Sequence, residues 1–224
     1  MSNAKISTDN DIANTFTTVH DNGILPKSRQ MFIHSLPETS EYDSQSGVDY
    51  LMAAQVIKNL MVLKEQSEKE PVLIHLQTPG GHYSEGMAIY DTIRFMPFHV
   101  TMLVYTHARS MSSIILQAAD WRVMMPNSYF MMHWGDMAFV GETRSTISHV
   151  DFMKKYQHPR MMEIYVAKAR QGSRFRGWSS SRVYSYLARA MEKEGDCFLS
   201  SSEAVKWGFA DEVFDGDWEG LFRG

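Results

Sequence analysis

A glycine-rich turn between a strand pattern and a helix pattern constrains this chain more than any other feature. The apolar run 72–76 leads into the turn 78–81, which reads Thr-Pro-Gly-Gly. Ser84 then offers a cap for a helix that runs through 89–95. Paired glycines let the backbone adopt conformations that other residues avoid, and they leave N–H groups free to face a developing negative charge. The turn therefore predicts an α/β fold with an anion-stabilising site at the end of a strand.

The composition is typical of a globular protein. Hydrophobic residues make up 44% of the 224 residues, and the formal net charge of -4 gives no global positive field to attract nucleic acid. Cys197 is the one cysteine, so no intrachain disulfide can form and a reducing compartment is favoured. Residues 1–16 lack the apolar core of a signal peptide, and no apolar run is long enough to span a bilayer. We therefore expect a cytoplasmic protein that has no contact with the membrane.

Strand and helix patterns alternate along the first part of the chain. The periodicity predicts strands at 30–36, 72–77, 100–105, 122–125 and 129–132, and helices at 48–63, 84–95 and 111–119. Such alternation is typical of a mainly parallel sheet with helices packed on it. Residues 1–28 are polar without a sustained period, and they predict a mobile N-terminal arm.

Helical patterns dominate after residue 133. Apolar residues recur every three positions over 147–156 and predict a helix, which Pro159 kinks or restarts. Two later helices and a final strand fit 180–193, 201–208 and 209–214. The chain has no internal repeat and no low-complexity linker, so residues 29–224 are predicted to form one domain.

Three polar side chains lie at separate junctions between the predicted elements. Ser110 starts a helix, where the dipole favours negative charge, although serines are also ordinary helix caps. His133 ends an apolar strand, and Asp196 lies where a helix gives way to Phe198-Leu199-Ser200. Taken alone, the histidine fits a core position and the aspartate fits a cap. A serine hydroxyl needs a positioned base before it can act as a nucleophile, so the three matter only if the fold joins them.

With the glycine turn, these residues resemble the ClpP family of self-compartmentalising serine proteases. The resemblance covers about 29–213 and rests on the turn, on Ala-Arg-Ser-Met, on Met-Met-His and on Gly-Asp-Cys-Phe-Leu-Ser. It implies a crotonase-type stack of β-β-α turns with a protruding helical handle at about 135–194. It also implies that Ser110 is the nucleophile, that His133 is the general base and acid, and that Asp196 orients the imidazole.

The same resemblance implies how a substrate is held. The backbone N–H groups of Gly81 and Met111 would form an oxyanion hole, in which each donor contributes roughly 3 kcal/mol to the transition state. The family binds its substrate as an added strand, between the segment after the glycine turn and the strand after the histidine. Those segments would supply Gly80, His82, Tyr83, Ala138, Phe139 and Val140 as substrate-binding residues.

The resemblance also implies an assembly. ClpP-like chains form two stacked heptameric rings, a tetradecamer, around a closed chamber that excludes folded proteins. Such a chamber implies an AAA+ unfoldase of the ClpX or ClpA type as a separate partner, which alone uses ATP. The arm 1–28 would correspond to the axial gate. The chain has no nucleotide-binding glycine motif and no metal-ligand spacing, so we expect neither a metal nor a cofactor.

Several positions depart from the family pattern. Thr106 and Arg109 replace a glycine and a small residue before the nucleophile, and Trp134 follows the histidine where glutamine is common. Arg109 either points away from the cleft or crowds it. Gly195 replaces an arginine that contacts the second ring, which predicts single rings at low concentration. The arginine-rich segment 170–178 looks like an insertion in the handle, and it predicts a solvated loop rather than a nucleic-acid site.

Rival functions stay open on the sequence. A catalytically silent ClpP-like subunit in a mixed ring would account for Thr106 and Arg109, but the intact triad argues against it. A crotonase-fold enzyme acting on an acyl-CoA thioester would not need Ser-His-Asp, and a scaffold protein would leave the three residues unexplained. We therefore expect a serine endopeptidase subunit that hydrolyses unfolded polypeptides through an acyl-enzyme.

Overall fold

The computed structural model describes residues 9–34, 47–136 and 141–223. Its helices are α1 (Asp9–Asn22), α2 (Tyr50–Gln66), α3 (Tyr83–Arg94), α4 (Met111–Leu116), α5 (Thr143–Phe152), α6 (His158–Ala169), α7 (Ser180–Glu194) and α8 (Ser201–Trp207). Its strands are β1 (Ile24–Leu25), β2 (Gln30–His34), β3 (Val72–Thr78), β4 (Val100–Arg109), β5 (Trp121–Met124), β6 (Tyr129–Met132), β7 (Cys197–Ser200) and β8 (Glu212–Val213). Single 3-10 turns cover Pro26–Ser28, Ser173–Phe175 and Gly220–Phe222, and a π-helical segment covers Met153–Gln157.

The strands form one sheet that branches at β4. Its main path runs β1-β2-β3-β4-β5-β8, and all neighbours on this path are parallel except β1 and β2. Strand β4 is ten residues long and changes partner along its length. Residues 101–104 pair with β5, whereas 107–109 pair with β6, which in turn pairs antiparallel with β7. The mainly parallel sheet that the sequence predicts is confirmed.

The core lies between the sheet and the helices α2, α3, α4 and α6. Strand β3 is buried along nearly its whole length, which accounts for its apolar residues at 72–74 and 76. Leu60, Ile74, Met102 and Ile115 have no exposed surface. Full burial of each such side chain stabilises the fold by about 1.5–3 kcal/mol. A smaller apolar cluster covers the opposite face of the sheet and contains Leu73, Leu103, Val123 and Leu221.

The polar arm contains a helix that its sequence does not predict. Helix α1 occupies Asp9–Asn22, within the segment 1–28 for which we expected no regular structure. Its C-terminal carbonyls are bound by side chains of α2: Gln55 Nε2 donates to Asp21 O at 3.2 Å, and Asn59 Nδ2 donates to Asn22 O at 2.7 Å. These bonds satisfy acceptors that a helix end leaves free. The helix therefore depends on contacts distant in sequence, which local periodicity does not reveal.

Other element boundaries also differ from the prediction. Helix α3 begins at Tyr83 with His82 at the N-cap, so Ser84 lies inside the helix and does not cap it. Strand β4 continues beyond residue 105 because its second half gains β6 as a partner. The final strand is only Glu212–Val213, and the flanking Asp211 N–H and Phe214 N–H also donate to carbonyls of β5. Helix α4 ends at Leu116 rather than near residue 119.

Residues 143–194 are mainly helical, and they fall within the range 135–194 for which the resemblance implies a handle; we call them the handle below. Helix α5 passes through the π-helical segment into α6, which begins at His158 with Pro159 in its first turn. The chain stays helical across this point, where His158 N–H donates to Met153 O in the π-helical pattern. The predicted kink or restart at Pro159 thus corresponds to a change from π- to α-helix and not to a break in the helix. Helix α7 buries Val183, Leu187 and Met191 at helical spacing, which confirms the predicted amphipathic helix.

Candidate active site

The ends of β4 and β6 and the start of β7 lie side by side in the sheet, and a candidate residue is next to each of them. In the register of the sheet, Arg109 of β4 lies opposite Met131 of β6. On the other side of β6, Met132 lies opposite Cys197 at the start of β7. The next residues are therefore Ser110 after β4, His133 after β6 and Asp196 before β7. Strand pairing alone brings together three residues that are far apart in the sequence.

The side chains of these three residues lie in a row, with the imidazole of His133 between the hydroxyl and the carboxylate. His133 Nε2 lies 2.8 Å from Ser110 Oγ, which is within hydrogen-bond distance. His133 Nδ1 lies 3.3 Å from Asp196 Oδ1. The His133 side chain is 13% exposed, whereas that of Asp196 is 49% exposed, so water reaches the carboxylate end of the row. A neutral imidazole whose Nδ1–H faces the carboxylate keeps Nε2 free to accept the serine proton.

Ser110 has a strained backbone. Its φ of 53° and ψ of −127° lie outside the regions that residues with side chains normally adopt. Among the described residues that are not glycine, only Arg29 shares a positive φ. The strain is held by a bond from Ser110 N–H to Met131 O at 3.1 Å and by the helix that begins at the next residue. Such a turn between strand and helix presents the hydroxyl outward, as expected of a nucleophile.

The glycine turn packs directly against the serine. Gly80 has a φ of +105°, and a Cβ there would lie 2.6 Å from Ser110 Cβ and 2.9 Å from Met111 N. On the far side of the turn, Val48 N–H donates to Gly80 O at 2.6 Å and His82 N–H donates to Val48 O at 2.8 Å. Because the pairing with Val48 uses the groups on either side of Gly81, the Gly81 N–H faces away from Val48. The N–H groups of Gly81 and Met111 thus belong to two residues that line the same cleft.

The cleft has a volume of about 680 Å³ and two unlike walls. One wall is built by the strand ends and the turns after them, and it carries Gly81, Ser110 and His133. The other wall comes from the helical handle and contributes His149, Met153, Gln157, His158, Met161 and Tyr165. Contacts join the walls: Tyr83 O–H donates to Gln157 O at 3.4 Å, and the rings of Trp134 and His158 lie 5.2 Å apart.

The predicted substrate-binding residues fall into three groups. His82 and Tyr83 line the cleft, and His82 is also exposed at its rim. Gly80 lies behind the serine rather than in the lining. Ala138, Phe139 and Val140 lie outside the described residues.

The handle residues of the cleft were missed by sequence reasoning. The periodicity of the handle predicts helices, but it does not predict which helical face meets the nucleophile. Met153 and Met161 put pliable apolar side chains into the lining, next to Met111 from the strand wall.

His158 is a handle histidine with a perturbed pKa in this lining. Burial lowers the pKa of His158, and the positive charge of Lys154 lowers it further, whereas a hydrogen bond to the Trp134 backbone raises it.

Two departures from the family pattern lie outside the cleft lining. Arg109 Nε donates to Pro79 O at 3.2 Å, so the guanidinium braces the glycine turn and does not crowd the cleft. Thr106 is exposed, and its Oγ1 lies 3.1 Å from His107 Nδ1 where the register between β3 and β4 shifts. Neither residue blocks the approach to Ser110.

Gly195 has a local structural role. With a φ of +71° it ends α7, and its N–H donates to Met191 O at 3.0 Å. Glycine adopts this conformation without strain, and the chain then turns directly into Asp196 and β7. The position of the carboxylate thus depends on this helix end.

The segment 170–178 is anchored rather than freely solvated. Phe175 is 1% exposed, and its ring packs edge-on against those of Trp178, Tyr186 and Trp207. Arg182 stacks 3.8 Å above the ring of Trp178. The arginines of the segment are exposed, as expected of a solvated loop, whereas its aromatic residues pack onto α7 and α8.

Within the described residues, the structure has neither a cluster of metal ligands nor a membrane-spanning helix. In 9–34, 47–136 and 141–223, no group of three or more His, Cys, Asp or Glu side chains could hold a metal ion. Over the same parts of the chain, no helix is long and apolar enough to cross a membrane.

Fold and site together define a class: an α/β protein with a strained serine, a histidine and a carboxylate at three strand ends beside a glycine turn. A family model described as Clp protease matches residues 27–217. This chain therefore belongs to the Clp protease family, as a ClpP-type member.

Two comparisons illustrate the relationship. The chain is 30% identical over 170 residues to a protein of Deinococcus radiodurans named ATP-dependent Clp protease proteolytic subunit, covering 75% of this chain and 76% of the relative. Its fold matches a ClpP1 variant from Listeria monocytogenes with a TM-score of 0.67 and 21% identity, covering 88% of this chain and 96% of that one. The crotonase-like ClpP fold expected from the resemblance is thus confirmed.

Proposed function

We propose that this protein is a serine endopeptidase subunit of a self-compartmentalising, ATP-dependent protease. The observation that carries the proposal is the 2.8 Å contact between His133 Nε2 and Ser110 Oγ, at a serine with a strained backbone beside the glycine turn. The Deinococcus radiodurans relative, an ATP-dependent Clp protease proteolytic subunit by name, supports the same activity.

In the proposed reaction, Ser110 Oγ attacks the carbonyl carbon of a peptide bond while His133 Nε2 takes the hydroxyl proton. The negative charge moves to the carbonyl oxygen, which the N–H groups of Gly81 and Met111 stabilise. The carbon–nitrogen bond then breaks, and His133 gives its proton to the leaving amine. Water attacks the resulting ester in the same way, which releases the acid and restores Ser110. Asp196 stabilises the imidazolium without taking its proton.

The proposed substrate is an extended, unfolded polypeptide. His82 and Tyr83 line one edge of the cleft, and Tyr83 is the first residue of α3, so its N–H has no intrahelical acceptor and suits pairing with an added strand. Met111, Ile114, Met153 and Met161 make much of the lining apolar. This lining favours a large apolar side chain before the cleaved bond.

The proposed assembly is two stacked heptameric rings that work with an AAA+ unfoldase of the ClpX or ClpA type in the cytoplasm. ATP is used by the unfoldase, and the peptidase itself needs no cofactor. Large apolar side chains on the surface support a self-assembling protein: Tyr50 is 73% exposed, Leu51 73% and Phe95 85%. The arm 1–28 would form the axial gate, and Gly195 would weaken the contact between rings.

The test is covalent labelling of Ser110. The purified protein is treated with a fluorophosphonate probe and its intact mass is measured, with Ser110→Ala and His133→Ala as controls. We expect one adduct per chain that is lost in both variants. An adduct that survives in Ser110→Ala would place the nucleophile elsewhere. Absence of any adduct, with and without an unfoldase, would favour the silent subunit of a mixed ring.

A further inference from the structure

The peptide group between Ser110 and Met111 is held from behind by Ser113. Ser110 O accepts a bond from Ser113 N–H at 3.0 Å and a second from Ser113 Oγ–H at 2.6 Å. Ser113 is fully buried, so no solvent competes for either bond. The carbonyl thus has two donors from a single residue of α4.

Tyr165 of the handle extends this arrangement. Its hydroxyl lies 2.6 Å from Ser113 Oγ, and Tyr165 is 1% exposed. The Ser113 hydroxyl has one proton, which goes to the Ser110 carbonyl because that oxygen can only accept. The Tyr165 O–H must therefore donate to Ser113 Oγ. Burial raises the pKa of Tyr165, so its phenol keeps the proton that this bond requires.

The orientation of this peptide group matters because its other end is an oxyanion donor. In a trans peptide the C=O and the following N–H point in opposite directions. Two bonds that hold Ser110 O toward the protein interior therefore hold Met111 N–H toward the cleft. Hydrogen bonds in a chain also polarise one another, so donation to the carbonyl strengthens the N–H as a donor.

We propose that Ser113 and Tyr165 are positioning residues, which orient and polarise the Ser110–Met111 peptide and so couple helix α6 of the handle to the oxyanion hole. The inference rests on the proposed serine peptidase activity. It adds a specific role for the handle: a shift of α6 that lengthens the contact between Tyr165 and Ser113 weakens stabilisation of the transition state.

The packing of Tyr165 allows the hydroxyl to be tested apart from the ring. The ring packs edge-on against Phe130 and Phe209, with centroids 6.3 Å and 5.6 Å away. Tyr165→Phe preserves these contacts and removes only the donor. Ser128 supplies a matched control, because it is 3% exposed and donates one similar bond, to Met125 O at 2.8 Å, outside the cleft lining.

The experiment uses the assembled full-length protein and four variants: Ser113→Ala, Tyr165→Phe, the double variant and Ser128→Ala. A peptide aldehyde, whose adduct places an oxyanion in the hole, is compared with the matching peptide alcohol, which binds without one. We expect Ser113→Ala to weaken aldehyde binding and lower kcat by about tenfold or more, with alcohol binding unchanged. Tyr165→Phe should lower both by about threefold, since it acts one bond further away.

The double variant tests whether Tyr165 acts through Ser113 or whether the two residues have separate structural effects. If Tyr165 acts through Ser113, adding Tyr165→Phe to Ser113→Ala causes no further loss of aldehyde affinity. Losses that multiply, an equal loss of alcohol binding, or a loss of aldehyde affinity in Ser128→Ala as well would overturn the proposal. If the native protein neither reacts with the fluorophosphonate nor binds the aldehyde, the peptidase activity is refuted, and the proposed role of Ser113 and Tyr165 is refuted with it.

Discussion

The two walls of the cleft are built by different physics. On the strand wall, Ser110 and His133 follow the ends of β4 and β6, and Asp196 precedes β7, so backbone pairing fixes their relative positions. On the handle wall, Met153, Met161 and Tyr165 come from one long helical path that reaches the cleft by side-chain packing. In the proposed reaction, the strand wall supplies the reacting groups, and the handle wall shapes the space in which a substrate binds.

This contrast predicts different consequences of substitution. The pairing register of two strands changes only by whole residues, and a shift by one residue turns every side chain to the other face of the sheet. Packing tolerates small adjustments, especially through methionine. Changes in the strand wall should therefore abolish function or leave it intact, whereas changes in the handle wall should alter rate and selectivity by degrees.

The largest effect on activity is expected from Gly80→Ala. The new Cβ would lie 2.6 Å from Ser110 Cβ and 2.9 Å from Met111 N, at a φ of +105°. Displacing the nucleophile and an oxyanion donor together should lower kcat by about 10³-fold. Peptide cleavage measures this, with Gly177→Ala as the control because Gly177 has a positive φ but nothing within 4 Å. Equal losses in the two variants would mean that backbone strain, not contact with Ser110, is responsible.

Arg122→Met should cause the largest loss of stability. The Arg122 side chain is 2% exposed, and its Nε donates to Asp211 Oδ2 at 2.8 Å. Removing the guanidinium takes the donor away from two buried acceptors, Gln117 Oε1 and Gly208 O, and leaves Asp211 with the Arg122 backbone N–H, which should lower the free energy of unfolding by about 3–5 kcal/mol. The exposed pair of Arg223 and Asp217 is the control, where Arg223→Met should cost about 1 kcal/mol or less. Denaturant unfolding measures both, and similar losses would contradict the prediction.

Acid should lower the free energy of unfolding through His75, which lies in strand β3. This side chain is 4% exposed, with Nδ1 2.8 Å from Tyr105 O–H and Nε2 2.9 Å from Gln30 Oε1. Burial, and secondarily His34, lowers the pKa of His75 from 6.5 to about 4. Between these values the unfolded chain binds a proton that the folded chain does not, so stability falls as pH falls across this window. The total loss is about 3 kcal/mol.

Unfolding free energies at several pH values check this assignment. His75→Gln should remove up to about 1.4 kcal/mol per pH unit from the slope between pH 6.5 and 4. A variant that keeps the full slope of the native protein would show that other groups account for the acid sensitivity.

The smallest effect is expected from Met153→Ala on the handle wall. Met153 lines the cleft, and shortening it should lower kcat/KM for peptides with a large apolar residue before the cleaved bond by about tenfold. Labelling of Ser110 by the fluorophosphonate should change much less, since the strand wall is untouched. Phe152→Ala is the control, because Phe152 is 51% exposed and absent from the lining. Equal losses of labelling and cleavage would contradict the separate roles assigned to the two walls.

Much of the strand wall could be predicted from the sequence. The turn 78–81, Ser110, His133 and Asp196 carry local patterns, and the structure brings them together as expected. The helix α1 and the anchored segment 170–178 could not be predicted, because side chains distant in sequence hold them: Asn59 binds the end of α1, and Trp207 packs on Phe175.

The sequence by itself indicated most of the elements after residue 29, the family and the candidate triad, because each of these rests on short patterns of neighbouring residues. Tertiary structure alone decided that Arg109 braces Pro79 and that Tyr165 reaches Ser113. The reason is physical: strand periodicity and glycine conformations are local properties of the backbone. Which helical face meets the nucleophile depends on how the whole core packs, and no short stretch of sequence encodes it.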